Sequence, residues 1–333
     1  MVTLADIAQE TGFNISTVSR ALNNSASISE DTRKRICSAA KQLGYSHRRG
    51  RLSESDLPLA DQMAGIIVPE VLSGYYAALV HYARDRFAQK GFSTLLALSN
   101  FDTNLLLLSL AKCAQAEVKC ILAVVDAFER LDDSVFDLVR KLDIPIIFVT
   151  AKYISSMDFD SIYIDERRGI IMAIEYLLSR GYERIGYIGD QYTDGRYRVF
   201  REVMRDHGKE VNPTFISVGN DRAELGGYLR MKEMLAFSER PDAVFASYDQ
   251  MAFGAMHAIG EANLRIPEDI GLIGFDDVIA AQYVGNGLTT VAHSYEDMMA
   301  IAVRILLQRV KTPHMTSQQI ALKPELIIRK TTR

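Results

Sequence analysis

Between residues 64 and 277, nine short apolar runs recur: AGIIVPE, STLLALS, KCILAVV, IPIIFVT, SIYID, RIGYIGD, FISVG, AVFAS and GLIGFDD. Many are apolar on both faces, a pattern a strand needs where helices cover a parallel sheet on either side. Stretches of helical period separate them, at about 75–90, 104–116, 133–142, 167–180, 196–207, 224–236 and 249–262, and a further one follows at 295–310. Alternation of this kind restricts the chain to a doubly wound α/β core, and nine strands exceed one ordinary sheet of that type. Two Rossmann-like lobes are therefore expected. Ligands of such sheets sit at the carboxyl ends of the strands, so a small-molecule pocket is expected in the cleft between the lobes.

Ahead of this core, residues 3–23, TLADIAQETGFNISTVSRALN, have the spacing of a helix-turn-helix. Thr3 caps a first helix whose Ala5, Ile7 and Ala8 face inward, Gly12 allows the sharp turn, and Asn14 caps a second helix anchored by Val18, Ala21 and Leu22. Ile15, Ser16, Thr17, Ser19 and Arg20 then lie near the end that can enter a major groove. A third helix is expected over 29–43, capped by Ser29, with Ile36, Ala40 and Leu43 on one face and Gly44 as its stop. Net charge over the whole chain is only −4, but it is unevenly spread: residues 1–51 carry +4 and the remaining 282 carry −8. Phosphate-attracting charge is thus confined to the small all-α headpiece. Residues 46–62, SHRRGRLSESDLPLADQ, are polar, contain Pro58 and read as a linker.

Several function classes find no support in the sequence. No apolar run reaches the ~18 residues of a membrane span, and no secretory leader precedes Thr3, so a cytoplasmic location is expected. Cys37, Cys113 and Cys120 are scattered and odd in number, which reads as small core residues. Without paired cysteines or a histidine cluster no metal site is expected. Neither GxGxxG nor a Walker loop is present, and the six histidines show no triad spacing, so neither an enzyme nor a cofactor is expected.

Three segments in order, Thr3 through Gly44-Tyr45, DAVFASYDQMAFGAMHAIGEANLRIPEDIGLIGFDD at 242–277, and Leu288-Thr289-Thr290-Val291, resemble the lactose-repressor and purine-repressor (LacI/GalR-type) family of bacterial transcription regulators. The likeness extends over nearly the whole chain. It implies a helix-turn-helix headpiece (1–45), a hinge (46–62) and a core (63–333) like the type I periplasmic binding proteins. The N-lobe would comprise about 63–160 plus 289–320 and the C-lobe about 161–288 plus 321–333, with crossings near Asp160, Leu288 and Ala321. It further implies a repressor of pseudopalindromic double-stranded operators, associated with the bacterial nucleoid and controlled by a sugar-like small molecule. The family's tetramers carry an extra C-terminal leucine-rich helix, and this chain stops at IIRKTTR, so a homodimer is expected.

The resemblance also implies roles for single residues. Ile15 and Ser16 stand where the family varies its operator choice, and Arg20 has the length to fork onto a guanine edge. Thr3, Thr17, Ser19, Asn23 and Thr32 can meet phosphates. The hinge departs from the family pattern: Gly50 disfavours a helix there, only Leu52 can act as a minor-groove wedge, and Arg48, Arg49 and Arg51 can track phosphates instead. For the effector, Tyr75 and Tyr76 follow the first core strand, Thr150 ends the fourth, and Arg196 and Asp276 form a donor–acceptor pair across the cleft, suited to a polyhydroxylated or partly anionic ligand. The same two residues also read as a structural salt bridge holding the lobes together. Tyr248 stands where relatives often carry Asn, and offers a ring and one hydroxyl in place of an amide; Asp165-Glu166 replaces a common Asp-Asn.

Overall fold

The computed structural model describes residues 2–22, 28–43, 45, 62–125, 133–150 and 158–333. The chain divides into two compact units, Met1–Leu59 and Ala60–Arg333. In the first, α1 (Leu4–Thr11), α2 (Ile15–Leu22) and α3 (Glu30–Gln42) enclose a core of Ile7, Val18, Ala21, Leu22, Ile36 and Ala40. Thr3 and Asp6 form a reciprocal cap, the Thr3 N–H donating to Asp6 Oδ2 at 2.7 Å and the Asp6 N–H to Thr3 Oγ1 at 3.3 Å. The Thr3 N–H, and after it the Thr3 hydroxyl, hold the Asp6 carboxyl below its usual pKa. Gly12 takes the left-handed conformation (φ 73°) that ends α1, and Asn14 Oδ1 accepts the Thr17 N–H at 2.8 Å to start α2. Two expectations fail here. Ala5 is exposed because the inward face of α1 follows Leu4, Ile7, Ala8 and Thr11, and Cys37 is exposed because it lies one residue off the Ile36–Ala40 stripe. Cys113 and Cys120 are buried as expected. Asn23, Gly44 and the hinge residues Arg48, Arg49, Arg51 and Leu52 lie outside the described residues.

All nine apolar runs of the second unit are strands: β1 (Gln62–Val68), β2 (Phe92–Leu98), β3 (Cys120–Val125), β4 (Ile146–Thr150), β5 (Asp160–Ile164), β6 (Ile185–Asp190), β7 (Ile216–Gly219), β8 (Ala243–Ala246) and β9 (Gly271–Asp276). Helices α4 (Gly74–Ala88), α5 (Thr103–Gln115), α6 (Asp133–Leu142), α7 (Glu166–Ser179), α8 (Asp194–Asp206), α9 (Ala223–Leu235), α10 (Asp249–Glu261) and α11 (Tyr295–Lys311) lie within a few residues of their expected bounds. Three short strands were not foreseen: β10 (Thr289–Ala292), β11 (Gln319–Leu322) and β12 (Glu325–Ile327). Strand β10 reads as polar because its buried threonine hydroxyls are bonded, Thr290 to Asp249 and Thr289 to Thr332.

The strands form two six-stranded sheets, β11-β5-β4-β3-β1-β2 and β12-β10-β9-β8-β6-β7, parallel except for the β10–β12 pair. Each is covered on both faces, the first by α4 and α11 on one side and α5 and α6 on the other, the second by α7 and α8 against α9 and α10. Pairing moves the lobe boundaries. Because β5 registers along β4, and β10 along β9, the chain leaves the first sheet after Ile164 and the second after Ala292, and makes its last crossing after Leu322. Those points lie later than the expected crossings near 160, 288 and 321, since each strand completes its ladder before departing.

Strand order reverses beside β1 in the first sheet and beside β6 in the second, so the segments leaving β1, β6 and β8 diverge and open a crevice at the strands' carboxyl ends. Across the second lobe α9 and α10 touch backbone to backbone. A Cβ on Gly227 would meet the Met251 carbonyl oxygen at 1.9 Å, and one on Gly254 would meet that of Glu224 at 1.9 Å. This close approach fixes the start of α9 against the start of α10, where part of the crevice wall is built.

Candidate functional site

Within the headpiece, Ile15 is the first residue of α2 and is 52% exposed, with Ser16 and Arg20 also exposed on that helix. Thr17, Ser19 and Thr32 are half-buried. Two of the residues expected at phosphates have local partners, Thr3 Oγ1 donating to Asp6 at 2.8 Å and Thr32 Oγ1 accepting from the Ser29 hydroxyl at 2.8 Å, and the base-reading candidate Ser16 donates through Oγ to Asn14 at 2.7 Å.

In the core, the crevice encloses a cavity of about 380 Å³. Tyr75 and Tyr76 reach it from the start of α4, Arg196 from α8, Tyr248 from the end of β8, and Asp276 from the end of β9. Thr150 is 2% exposed at the end of β4 and is outside the lining. The remaining wall includes Glu70, Glu166, Asp190, Tyr192, Arg222 and Glu224.

Two networks organise these side chains. Arg196 donates through Nε and Nη2 to Glu166 Oε1 at 2.9 and 2.5 Å, through Nη1 to the Ser247 carbonyl at 2.5 Å, and reaches Asp276 Oδ1 at 3.5 Å. Its guanidinium lies 4.1 Å from the centre of the Phe275 ring. All of these partners belong to the second lobe, and Arg196 and Asp276 stand on the same side of the cleft rather than across it from each other. Glu166 is the principal partner. Asp276 itself has φ 104°, a conformation rare for a residue with a side chain, and its carbonyl accepts the Tyr295 hydroxyl at 2.6 Å.

The second network centres on Asp190, which is 1% exposed at the end of β6. Tyr248 donates to Asp190 Oδ2 at 2.7 Å and accepts the Ala223 N–H at 2.8 Å, so its hydroxyl is engaged within the protein. Burial, reinforced by the Asp190 carboxylate, pushes the Tyr248 phenol well up from its usual pKa. Arg222 approaches the same Asp190 oxygen at 3.4 Å and, from the second lobe, reaches Glu70 of the first at 3.9 Å. Its guanidinium lies 4.2 Å from the ring centre of Phe101 in the first lobe and 5.2 Å from that of Tyr192 in the second, and these two rings stack at 4.5 Å.

Beneath the cavity, Asp249 is fully buried and accepts the Thr290 hydroxyl at 2.5 Å and the Val278 N–H at 2.9 Å. Burial raises its pKa well above the carboxylate range, with Asp276 adding to the effect. Gly274 allows this approach, since a Cβ there would fall 2.3 Å from Asp249 Oδ1. Sequence reasoning missed Glu70, Asp190 and Arg222. The positions of Asp190 and Glu70, at or just past the carboxyl ends of strands beside the order reversals, were available signals; Arg222 left none. Among the described residues no group of three or more His, Cys, Asp or Glu is arranged to hold a metal ion, and no helix is long and apolar enough to cross a membrane.

A helix-turn-helix joined to a two-lobed core with a polar cleft at its switch points defines a class: DNA-binding regulators controlled by a small ligand. Comparisons with known proteins agree. Residues 3–47 match the bacterial regulatory proteins of the lacI family, and residues 174–332 match the periplasmic binding protein-like domain. The HTH-type transcriptional repressor PurR of Pasteurella multocida (strain Pm70) is 29% identical over 337 residues, covering 100% of this chain and 99% of that protein. The HTH-type transcriptional regulator RegA of Clostridium saccharobutylicum is 26% identical, over 99% of this chain and 98% of that protein. Two solved structures share the fold: a transcriptional regulator CelR–cellobiose complex (TM-score 0.71, 24% identity, 99% of this chain and 100% of that one) and the lac repressor dimer bound to operator and the anti-inducer ONPF (TM-score 0.72, 22% identity, 99% of each). The chain carries a lacI-family DNA-binding domain and a periplasmic-binding-protein-like domain, and is a ligand-controlled DNA-binding transcription regulator rather than an enzyme.

Proposed function

We propose that the chain is a homodimeric repressor whose paired headpieces read a pseudopalindromic operator on the bacterial nucleoid, in the cytoplasm, and whose cleft binds a sugar-like effector. Ile15, Ser16 and Arg20 read bases in the major groove, while Thr3, Thr17, Ser19, Asn23 and Thr32 with Arg48, Arg49 and Arg51 follow phosphates. Leu52 is the candidate wedge. In the cleft, Tyr75, Tyr76, Arg196, Tyr248 and Asp276 surround the effector, Arg196 acting mainly by holding Glu166 and Asp276 in place. Thr150 drops out of the contact set. Ligand closes the lobes onto each other, and a coupling of ~1–3 kcal/mol changes operator affinity roughly 5- to 150-fold.

The observation that carries this reading is Ile15, an apolar side chain left half exposed at the first position of α2 beside the exposed Ser16 and Arg20. The homodimer is supported by exposed apolar residues of the core, Ile279 and Tyr283 among them, at 75% and 74%. The test is a fluorescence titration of operator selected from random sequence. Arg20→Ala is expected to lose ~1–3 kcal/mol and relax one base position; affinity equal to that of the parent removes Arg20 from the reading.

A further inference from the structure

The strands at which the chain crosses between lobes, β5 and β11 in the first sheet and β10 and β12 in the second, lie together at one side of each sheet. The opposite sides are formed by β2 and β7, with β1 and β6 next to them. Lobes that rotate about the crossings move least beside them and most at this far side, so a contact made there has the longest lever arm on opening.

Three side chains meet at that far side. Phe101 follows β2 of the first lobe, while Tyr192 follows β6 and Arg222 follows β7 of the second. The Phe101 and Tyr192 rings stack across the cleft, their centres 4.5 Å and their planes 25° apart. The Arg222 guanidinium covers both, at 4.2 and 5.2 Å, and reaches Glu70 beyond β1 at 3.9 Å. The bond from the Tyr295 hydroxyl to the Asp276 carbonyl also joins the lobes, but it lies beside the crossing after β10.

The turns carrying the two rings hold them at this point. Asn100 and Phe101 are consecutive residues with φ 49° and 58°. Asparagine tolerates this left-handed region, whereas a bulky side chain is rarely found there. The turn is fixed by the Ser99 and Asn100 N–H groups, which donate to the Val68 and Pro69 carbonyls at 3.0 and 2.9 Å, and by the Asp102 N–H on the Ser99 carbonyl at 2.8 Å. Glycine would take the conformation of Phe101 without strain, so a phenylalanine kept there against its backbone preference points to a role for the ring. On the other lobe, Asp190 accepts the Tyr192 N–H through Oδ1 at 2.9 Å and approaches Arg222 through Oδ2 at 3.4 Å. One buried carboxylate thus positions both second-lobe members of the contact.

We propose that Phe101, Tyr192 and Arg222 form a latch that draws the lobes together before any ligand binds. An aromatic stack and a guanidinium on a ring face each favour the closed form by roughly 2- to 10-fold. An effector completes a closure that the chain has begun, and leaves when the latch releases. That role for the effector rests on the cleft being its site; the latch itself does not.

The test is small-angle X-ray scattering of the full-length protein without ligand or operator. Phe101→Ala and, from the opposite lobe, Tyr192→Leu are each expected to raise the radius of gyration above that of the parent. Phe237→Ala removes an equally large ring, 48% exposed beyond the end of α9, and is expected to leave the radius unchanged. The two latch substitutions sit in separate lobes, so either decides the matter where the other fails to fold. A radius equal to the parent's in both overturns the latch, as does an equal expansion in Phe237→Ala. Either result leaves the regulator reading in place, because that reading is decided separately by the operator titration of Arg20→Ala.

Discussion

His293 follows β10, where the chain leaves the second lobe. Its ring is buried, packs 4.5 Å from the Tyr295 ring and 5.9 Å from that of Tyr75, and neither nitrogen has a hydrogen-bond partner among the described residues. Burial, with the nearby Arg196 charge adding, lowers its pKa to about 3. In the unfolded chain the imidazole titrates near ~6.5. The unfolded state therefore takes up the proton first as pH falls, and the neutral ring's contribution is complete above ~6.5 and lost progressively toward 3. That loss amounts to about 2 kcal/mol between pH 7 and pH 5, at ~1.4 kcal/mol per pH unit below the unfolded pKa. Asp249 slopes the other way, because a buried carboxyl with a raised pKa binds its proton more readily in the folded state. The difference between parent and His293→Leu in urea unfolding isolates the imidazole. The parent's stability minus that of the variant should fall by that amount from pH 7 to pH 5, and a difference independent of pH would refute the assignment.

The α9–α10 pair shows how an element can position a site that it barely enters. Gly254→Ala places a methyl on the Glu224 carbonyl, which cannot rotate away, so the helices must separate. A loss of ~1–3 kcal/mol or more is expected in thermal unfolding, accompanied by weaker effector binding as Ala223 is drawn from the Tyr248 hydroxyl. Little of this contact could be read from the chain, because glycines within a helical pattern resemble ordinary interruptions until the neighbouring helix is known. Strands β1 to β9 were legible because two-sided burial leaves continuous apolar text. Strand β10 was not, its threonines being buried with Asp249 and Thr332 as partners far away in sequence. The same contrast governs the cleft. Tyr75, Tyr76, Arg196, Tyr248 and Asp276 follow strand ends and could be named in advance. Glu166 was noted as a departure from the family pattern, but not as the partner of Arg196, 30 residues away. Thr150 also ends a strand, yet burial removes it from the wall.

Across the whole core, Arg222 spans the cleft mouth from one lobe to the other. An exposed cation–π contact and a loose ion pair together contribute ~1–2 kcal/mol, enough to shift the balance of closed and open lobes about 5- to 30-fold. Arg222→Ala is expected to raise the radius of gyration of the ligand-free protein in small-angle X-ray scattering, and to let effector enter faster. An unchanged profile would mean that other contacts hold the lobes. The three crossings carry a consequence for synthesis. Each sheet draws an edge strand from the end of the chain, β11 for the first and β12 for the second. A ribosome delivers the headpiece first, and both halves of the sensor stay unfinished until the last few dozen residues emerge. Premature termination anywhere in the core would leave both sheets short of an edge strand, so a broken message costs the sensor as a whole rather than one lobe of it.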